Sequence, residues 1–379
     1  RPAAGVLWLD ADPVPWSQAN CTEADRALAD SVTEGVFDLL GSGRIGLGRP
    51  PAWRRDLYTG RDWPLTPSWR YRWYWADGSD IRTVWELSRG YHFVALARAH
   101  WSTGDPRYRT AFVEHIESWI RDNPVGYGPH WASPMDAGIR AANWTLAAHL
   151  FGPDPVIPES VWYRLLENLF VTGLYLERYL EWHPRYRGNH YVANGVGLVY
   201  LGVLFRDLPD GARWCHRGAR ILATELARQV HADGVSFEAG LGYHRVITEL
   251  FTYGGELVAR NVPALLPDGY WGRVGRMYRF LDAYLADDGV APMLGDSDDG
   301  RLHLLAVDAL VEPRRHRLGL PPARFSGLGT RRSTAFPHGG FYVLRGPSGH
   351  LVVRCGPVGL EGAGSHDHND QLSFELTLG

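Results

Sequence analysis

The chain has 379 residues, 45% hydrophobic and 21% charged, with a formal charge of −3; this excludes dominant disorder and allows two domains. All 39 cationic side chains are Arg, which removes a P-loop lysine, a Schiff-base lysine and a lysine general base. There is no five-residue basic block and no apolar run near the ~18 residues a spanning helix needs, so neither a nucleic acid nor a membrane is an expected partner.

The start of the chain, Arg1 to Gly5, lacks the pattern of a signal peptide. Residues 1–65 read as a Gly-, Pro- and Trp-rich extension with one helix from about Cys21 to Leu40, where Ala27, Leu28, Val32, Val36 and Leu39 recur at helical spacing. From Ile81 a run of amphipathic helices begins, broken by short turns such as Gly104-Asp105-Pro106 and Pro267-Asp268-Gly269. Further helices are predicted near 106–121, 134–150, 158–181, 190–206, 211–231, 241–260 and 268–288. No repeat of fixed period is visible, which leaves a closed ring of helical hairpins as the preferred arrangement for residues 66–320.

After about Leu320 the period changes. Residues 340–345, 350–355 and 371–377 are rich in β-branched and aromatic side chains, and the first two flank Gly346-Pro347-Ser348-Gly349. They predict antiparallel strands in a domain of residues 321–379. A three-stranded fragment has open edges, so it is expected either to pack on the helices or to begin a larger β domain. Cys21, Cys215 and Cys355 form no paired spacing and read as buried apolar fillers.

Three polar stretches are candidates for chemistry. Arg187-Gly188-Asn189-His190 precedes an apolar helix, where the helix dipole and directed donors suit an anion; the plainer reading is that Asn189 caps the helix. Glu238, Tyr243, His244 and Arg245 bring a carboxylate, a phenol, an imidazole and a cation to a loop-to-helix junction, or else form an ordinary turn. His366-Asp367-His368, taken as extended, would point both imidazoles the same way, toward a metal or an acid/base pair; the alternative is a solvated turn. Gly295-Asp296-Ser297-Asp298-Asp299-Gly300 has the wrong spacing for an EF-hand and reads as a turn with helix-capping aspartates.

In this order the three stretches resemble the motifs of the heparinase II/III-like polysaccharide lyases, relatives of the toroid-plus-sandwich alginate lyases. Asn189-His190 is similar to the family's N-H motif, although many members carry a further Asn where this chain has Gly188. Asp233-Gly234…Glu238…Tyr243-His244 is similar to D-G-x-x-x-E…Y-H. Gly339 to Arg345 resembles the G-G-Y/F-Y-V-L-R strand, and His366 to Leu376 the H-x-H-x-D…L-S-F-E-L segment. Trp85-Glu86-Leu87-Ser88-Arg89 and Trp131-Ala132-Ser133…Arg140…Asn143-Trp144 resemble its toroid helices.

The resemblance implies a mainly α fold with C-terminal β, an incomplete (α/α) toroid followed by the start of an antiparallel β-sandwich, with the site in the cleft between them and His366 within reach of Tyr243. It implies a lyase that cleaves a uronic-acid-containing polysaccharide, glycosaminoglycan- or alginate-like, by β-elimination. Catalytic roles fall to Asn189, His190, Tyr243 and His366, and contacts to the acidic polysaccharide to Arg187, Glu238, His244 and Arg245. No cofactor is required; His368 matches a zinc ligand of some members, but its partners there lie further along the β domain, so zinc is expected only if that domain is completed. A periplasmic or secreted location follows from the resemblance alone, and oligomeric state is left open. Two other functions compete: an (α/α) toroid glycoside hydrolase using Glu238 and Asp296 as paired carboxylates, and a non-catalytic glycan-binding protein.

Overall fold

The computed structural model describes residues 21–152, 154–297, 300–305, 325 and 332–378. Two compact units divide the chain out of sequence order: one holds the residues up to Glu181 and Ala193–Gly218, the other Trp182–Val192 and the residues from Ala219 onward. The expected mainly helical chain with a C-terminal antiparallel sheet is what the structure has.

In the first unit, α1 (Glu23–Thr33) opens with a capping box between Thr22 and Asp25. It is shorter than predicted: Gly35 turns the backbone at φ 75°, and β1 (Val36–Phe37) then pairs with β2 (Ile45–Gly46). The other carboxylate work of Asp25 is a buried pair with Arg98, at 3.0 and 3.2 Å. Helices α2 (Ile81–Ser88) and α3 (Tyr91–Thr103) are separated by Gly90 at φ 75°, where a Cβ would overlap the Trp144 indole. Asp105 and Ser133 cap α4 (Pro106–Asp122) and α5 (Pro134–Phe151), each with Pro at the first position. The unit also contains α6 (Glu159–Arg178).

The motif residues of this unit are structural. Arg89 bonds both Glu86 and Asp136 at 2.6 Å, and buried Arg140 donates to Ser88 Oγ and His130 O while lying over Trp119 and Trp131. Nearby, His92 and His115 pack edge-on to one another around Phe37 and Trp53. Burial holds His115 down at about 4 and His130 at about 3, against an ordinary 6.5, and pushes His92 well below it.

These imidazoles stay neutral in the folded chain but accept protons when it unfolds. Stability is therefore fully present above pH 6.5 and lost as the pH falls from there toward 3. On the order of 3 kcal/mol should go with His115 alone by the end of that window. Urea midpoints measured down this range should fall steeply; a flat profile would contradict the assignment.

Two helices, α7 (Asn189–Leu204) and α8 (Pro209–Gln229), begin in one unit and end in the other. The second unit adds α9 (Leu241–Asn261), α10 (Tyr270–Tyr284) and an antiparallel meander β3 (Thr334–Phe336), β4 (Phe341–Gly346), β5 (Gly349–Arg354) and β6 (Ser373–Leu378). Strand β3 was not predicted. Gly346 pairs with Gly349, leaving Pro347-Ser348 as a two-residue hairpin loop. Phe341 and Phe336 pack on Phe280 of α10, with centroids 5.0 and 4.8 Å away, so one sheet face rests on a helix. The other face leaves Leu344, Phe374, Leu376 and Leu378 exposed.

Cys21 and Cys215 are buried as expected, but Cys355 is exposed because it follows the last residue of β5. No helix among the described residues is long and apolar enough to cross a membrane.

Candidate active site

The second unit brings the N-terminus of α7, the loop before α9 and the turn before β6 to one place. Helix α7 starts at Asn189, and the carbonyl of Gly188 receives the first helical N–H groups, from Tyr191 and Val192. The capping position is therefore Gly188. Asn189 is buried, and it donates its backbone N–H to Glu238 Oε1 at 2.7 Å and its side-chain Nδ2 to Glu238 Oε2 at 2.8 Å. Since the carboxylate only accepts, this fixes which end of the Asn189 amide faces it. A Cβ at position 188 would overlap that carboxylate, so Gly188 allows the close approach of the two loops.

Glu238 is only 2% exposed. Both of its oxygens accept from Asn189, which does not suit the expected substrate contact. Glu238 Oε2 also lies 3.8 Å from His366 Nε2, which links the helix start to the turn before β6. Asp233, five residues earlier, accepts the backbone N–H groups of His338 and Gly339 at 2.8 and 3.0 Å and so ties the loop to the entry of β4.

Tyr243 lies in the first turn of α9, and its ring stacks on His366 with centroids 3.5 Å apart and planes 12° from parallel. The expected approach of the two residues is thus present, within a single compact unit. The next two residues point elsewhere. His244 is buried, receives the Ser236 N–H at Nδ1 and donates from Nε2 to Met277 O at 3.1 Å; burial pulls it down to about 4. Arg245 is buried with its guanidinium on Glu249 and the Gly300 carbonyl. Neither is placed to touch a polysaccharide, contrary to expectation, because consecutive helical residues project about 100° apart. Arg187 is likewise engaged, with Nε on Glu225 at 2.6 Å and Nη1 on the Pro184 carbonyl. His190 is half-buried beside Asn189.

Asp296 joins the site, although its run of acids and glycines has no signal of the lyase motifs. It is not a helix cap: Oδ2 meets His366 Nδ1 at 2.8 Å and Oδ1 meets His368 Nε2 at 2.6 Å. Bonding to His366, foremost, holds its carboxyl below the usual range, against the opposing effect of burial. The turn is pinned around it by Asp296 N–H to His366 O and by Gly295 N–H to Asp370 Oδ2, at 2.9 and 2.8 Å. His366-Asp367-His368 is a turn rather than an extended segment, with His368 at φ 49°; Asp296 is what gathers the two imidazoles. Asp298 and Asp299 lie outside the described residues.

His368 alone does not make a metal centre. Its Nε2 is taken by Asp296, and among the described residues no group of three or more His, Cys, Asp or Glu side chains could hold a metal ion.

Comparison with known proteins places these elements in context. The family model for the heparinase II/III N-terminus matches residues 61–307, and that for the heparinase II/III-like C-terminal region matches residues 328–379. A heparin-sulfate lyase from Pedobacter heparinus is 27% identical over 317 residues, covering 79% of this chain and 46% of its own. One from Bacteroides stercoris is 24% identical over 353 residues, covering 81% and 49%. The chain thus spans about half the length of these relatives. A crystal structure of heparinase III shares the fold with a TM-score of 0.65 at 19% identity, covering 94% of this chain and 57% of that one. A heparan sulfate lyase structure from Pedobacter heparinus gives 0.58 at 23% identity, covering 100% and 57%.

Proposed function

Because the chain belongs to the heparinase II/III family, we propose that it carries the reaction centre of a polysaccharide lyase acting by β-elimination on a uronate-containing, glycosaminoglycan-like substrate. The observation that carries this reading is the connected set Asn189, Glu238, His366 and Tyr243, with Asp296 behind the imidazole.

The C5 proton of a uronate is too weakly acidic to leave until the charge of the adjacent carboxylate is offset. Asn189, whose Nδ2 keeps a second N–H beyond the one given to Glu238, and His190 beside it supply hydrogen-bond donors for that carboxylate at the positive end of α7. A base then takes the C5 proton, its electron pair becomes the C4–C5 double bond, and the C4–O4 bond breaks as O4 receives a proton. Tyr243 and His366, stacked ring on ring, divide the two transfers. Asp296 orients His366 by bonding Nδ1, which leaves Nε2 for the reaction.

The competing hydrolase loses its carboxylates, since Glu238 is committed to Asn189 and Asp296 to the two histidines. The test is to offer the chain heparan sulfate, heparin, hyaluronan, chondroitin sulfate and alginate and to follow ultraviolet absorbance of the new double bond. Absorbance should rise with heparan sulfate; no rise with any of them would overturn the reading.

A further inference from the structure

The first unit carries a second feature suited to a glycan, made by side chains that play no part in the reaction centre. The segment Trp63 to Trp75 contains five Trp or Tyr residues after Thr66, two arginines and no acidic residue. Tyr71 and Trp75 turn inward and pack on the cluster of Trp63, Ile81, Val84 and Trp85. Their neighbours turn outward: Tyr74 is 91% exposed, Trp69 69% and Trp73 43%. Arg70 and Arg72 are exposed between them, and neither is paired with a carboxylate among the described residues. By contrast, Arg61 close by is neutralised by Asp77 at 2.7 Å.

The strip is held in shape by its own backbone. Pro67 bridges to Tyr127 and Tyr74 to Asp80, Ser68 N–H donates to Gly126 O at 2.8 Å, and the Tyr71 hydroxyl donates to Pro64 O at 3.2 Å. Little ordering is left to be done on binding. Exposed large aromatics cost solvation unless they meet a partner, and flat rings suit the apolar faces of pyranose sugars. Arginines interleaved with them match sulfate or carboxylate groups bidentately.

From this arrangement we infer that Trp69, Arg70, Arg72, Trp73 and Tyr74 form an acidic-polysaccharide binding strip on the first unit. The choice of an acidic glycan rests on the lyase reading; the placement of the strip does not.

The experiment measures retention of the full chain on immobilised heparan sulfate, with neutral dextran as control, in a Tyr243→Phe background so that the matrix is not consumed. Trp69→Ala with Tyr74→Ala removes the exposed rings, and Arg70→Gln with Arg72→Gln removes the charges; Trp73, which touches Trp85, is left alone. Each pair should weaken binding about 10-fold or more with unchanged circular dichroism, and the arginine pair should also flatten the dependence on salt. Unchanged binding by both pairs, or no preference of the parent for heparan sulfate over dextran, overturns the inference. Should the strip variants lose binding while the wild-type chain cleaves no polysaccharide, the lyase reading falls and the strip stands; should the chain cleave while both pairs bind normally, the strip alone falls.

Discussion

Replacing Tyr243 with phenylalanine is expected to lower turnover by about 100-fold or more while leaving the fold and the affinity for polysaccharide nearly unchanged. The substitution removes one oxygen and keeps the ring, so the 3.5 Å stack on His366 is retained and the turn before β6 keeps its support. What disappears is a proton carrier at a position where His366 alone would have to serve both C5 and O4. The loss should fall on kcat, with KM little altered, because the phenol is asked to act only as charge moves in the transition state. A hydrolase built on Glu238 and Asp296 predicts a mild effect of this variant. Steady-state kinetics on one responsive polysaccharide separate the two, and full activity in Tyr243→Phe would eliminate the mechanism.

Asn189→Ala should be the second severe variant, losing roughly 3 kcal/mol of transition-state stabilisation, the scale for removing one donor from a developing anion. Its effect has two parts that can be told apart. The substrate carboxylate loses its amide donor, which lowers turnover. Glu238 loses the side-chain bond at Oε2 while keeping the backbone N–H at Oε1, and a buried acceptor stripped of a partner costs about 1–3 kcal/mol of stability. Glu238→Gln presents an NH2 group to one of the Asn189 donors and should lower turnover as well, through misplacement of the amide. Thermal melts alongside kinetics check this: an Asn189→Ala enzyme with normal turnover and only a lowered melting temperature would reduce Asn189 to a structural residue.

Much of the fold was legible because its signals are local. Asp105-Pro106 and Ser133-Pro134 announce helix starts, and Gly346 and Gly349 bracket a hairpin. The first helix is shorter than its apolar spacing suggests, because Val36 and Leu39 continue that spacing after Gly35 has already turned the chain. At the site, Asn189, Tyr243 and His366 were singled out by residue type and order, but what each touches was not. Asp296 lies 70 residues before His366 in a run of acids and glycines that looks like any solvated turn. His244 and Arg245 adjoin Tyr243 in sequence, but a helix sends adjacent side chains to different faces and buries these two. Glu238 looked like a free carboxylate, and only the meeting of two distant loops shows that Asn189 occupies it.

Elimination and hydrolysis differ by one water in the masses of their products. A size-defined heparan sulfate oligosaccharide would be cleaved to partial conversion and every fragment weighed. Elimination gives complementary fragment pairs whose masses sum to that of the intact substrate, one member of each pair carrying an unsaturated uronate and so one water lighter than its saturated equivalent. Fragment pairs that sum to the substrate plus one water would contradict it.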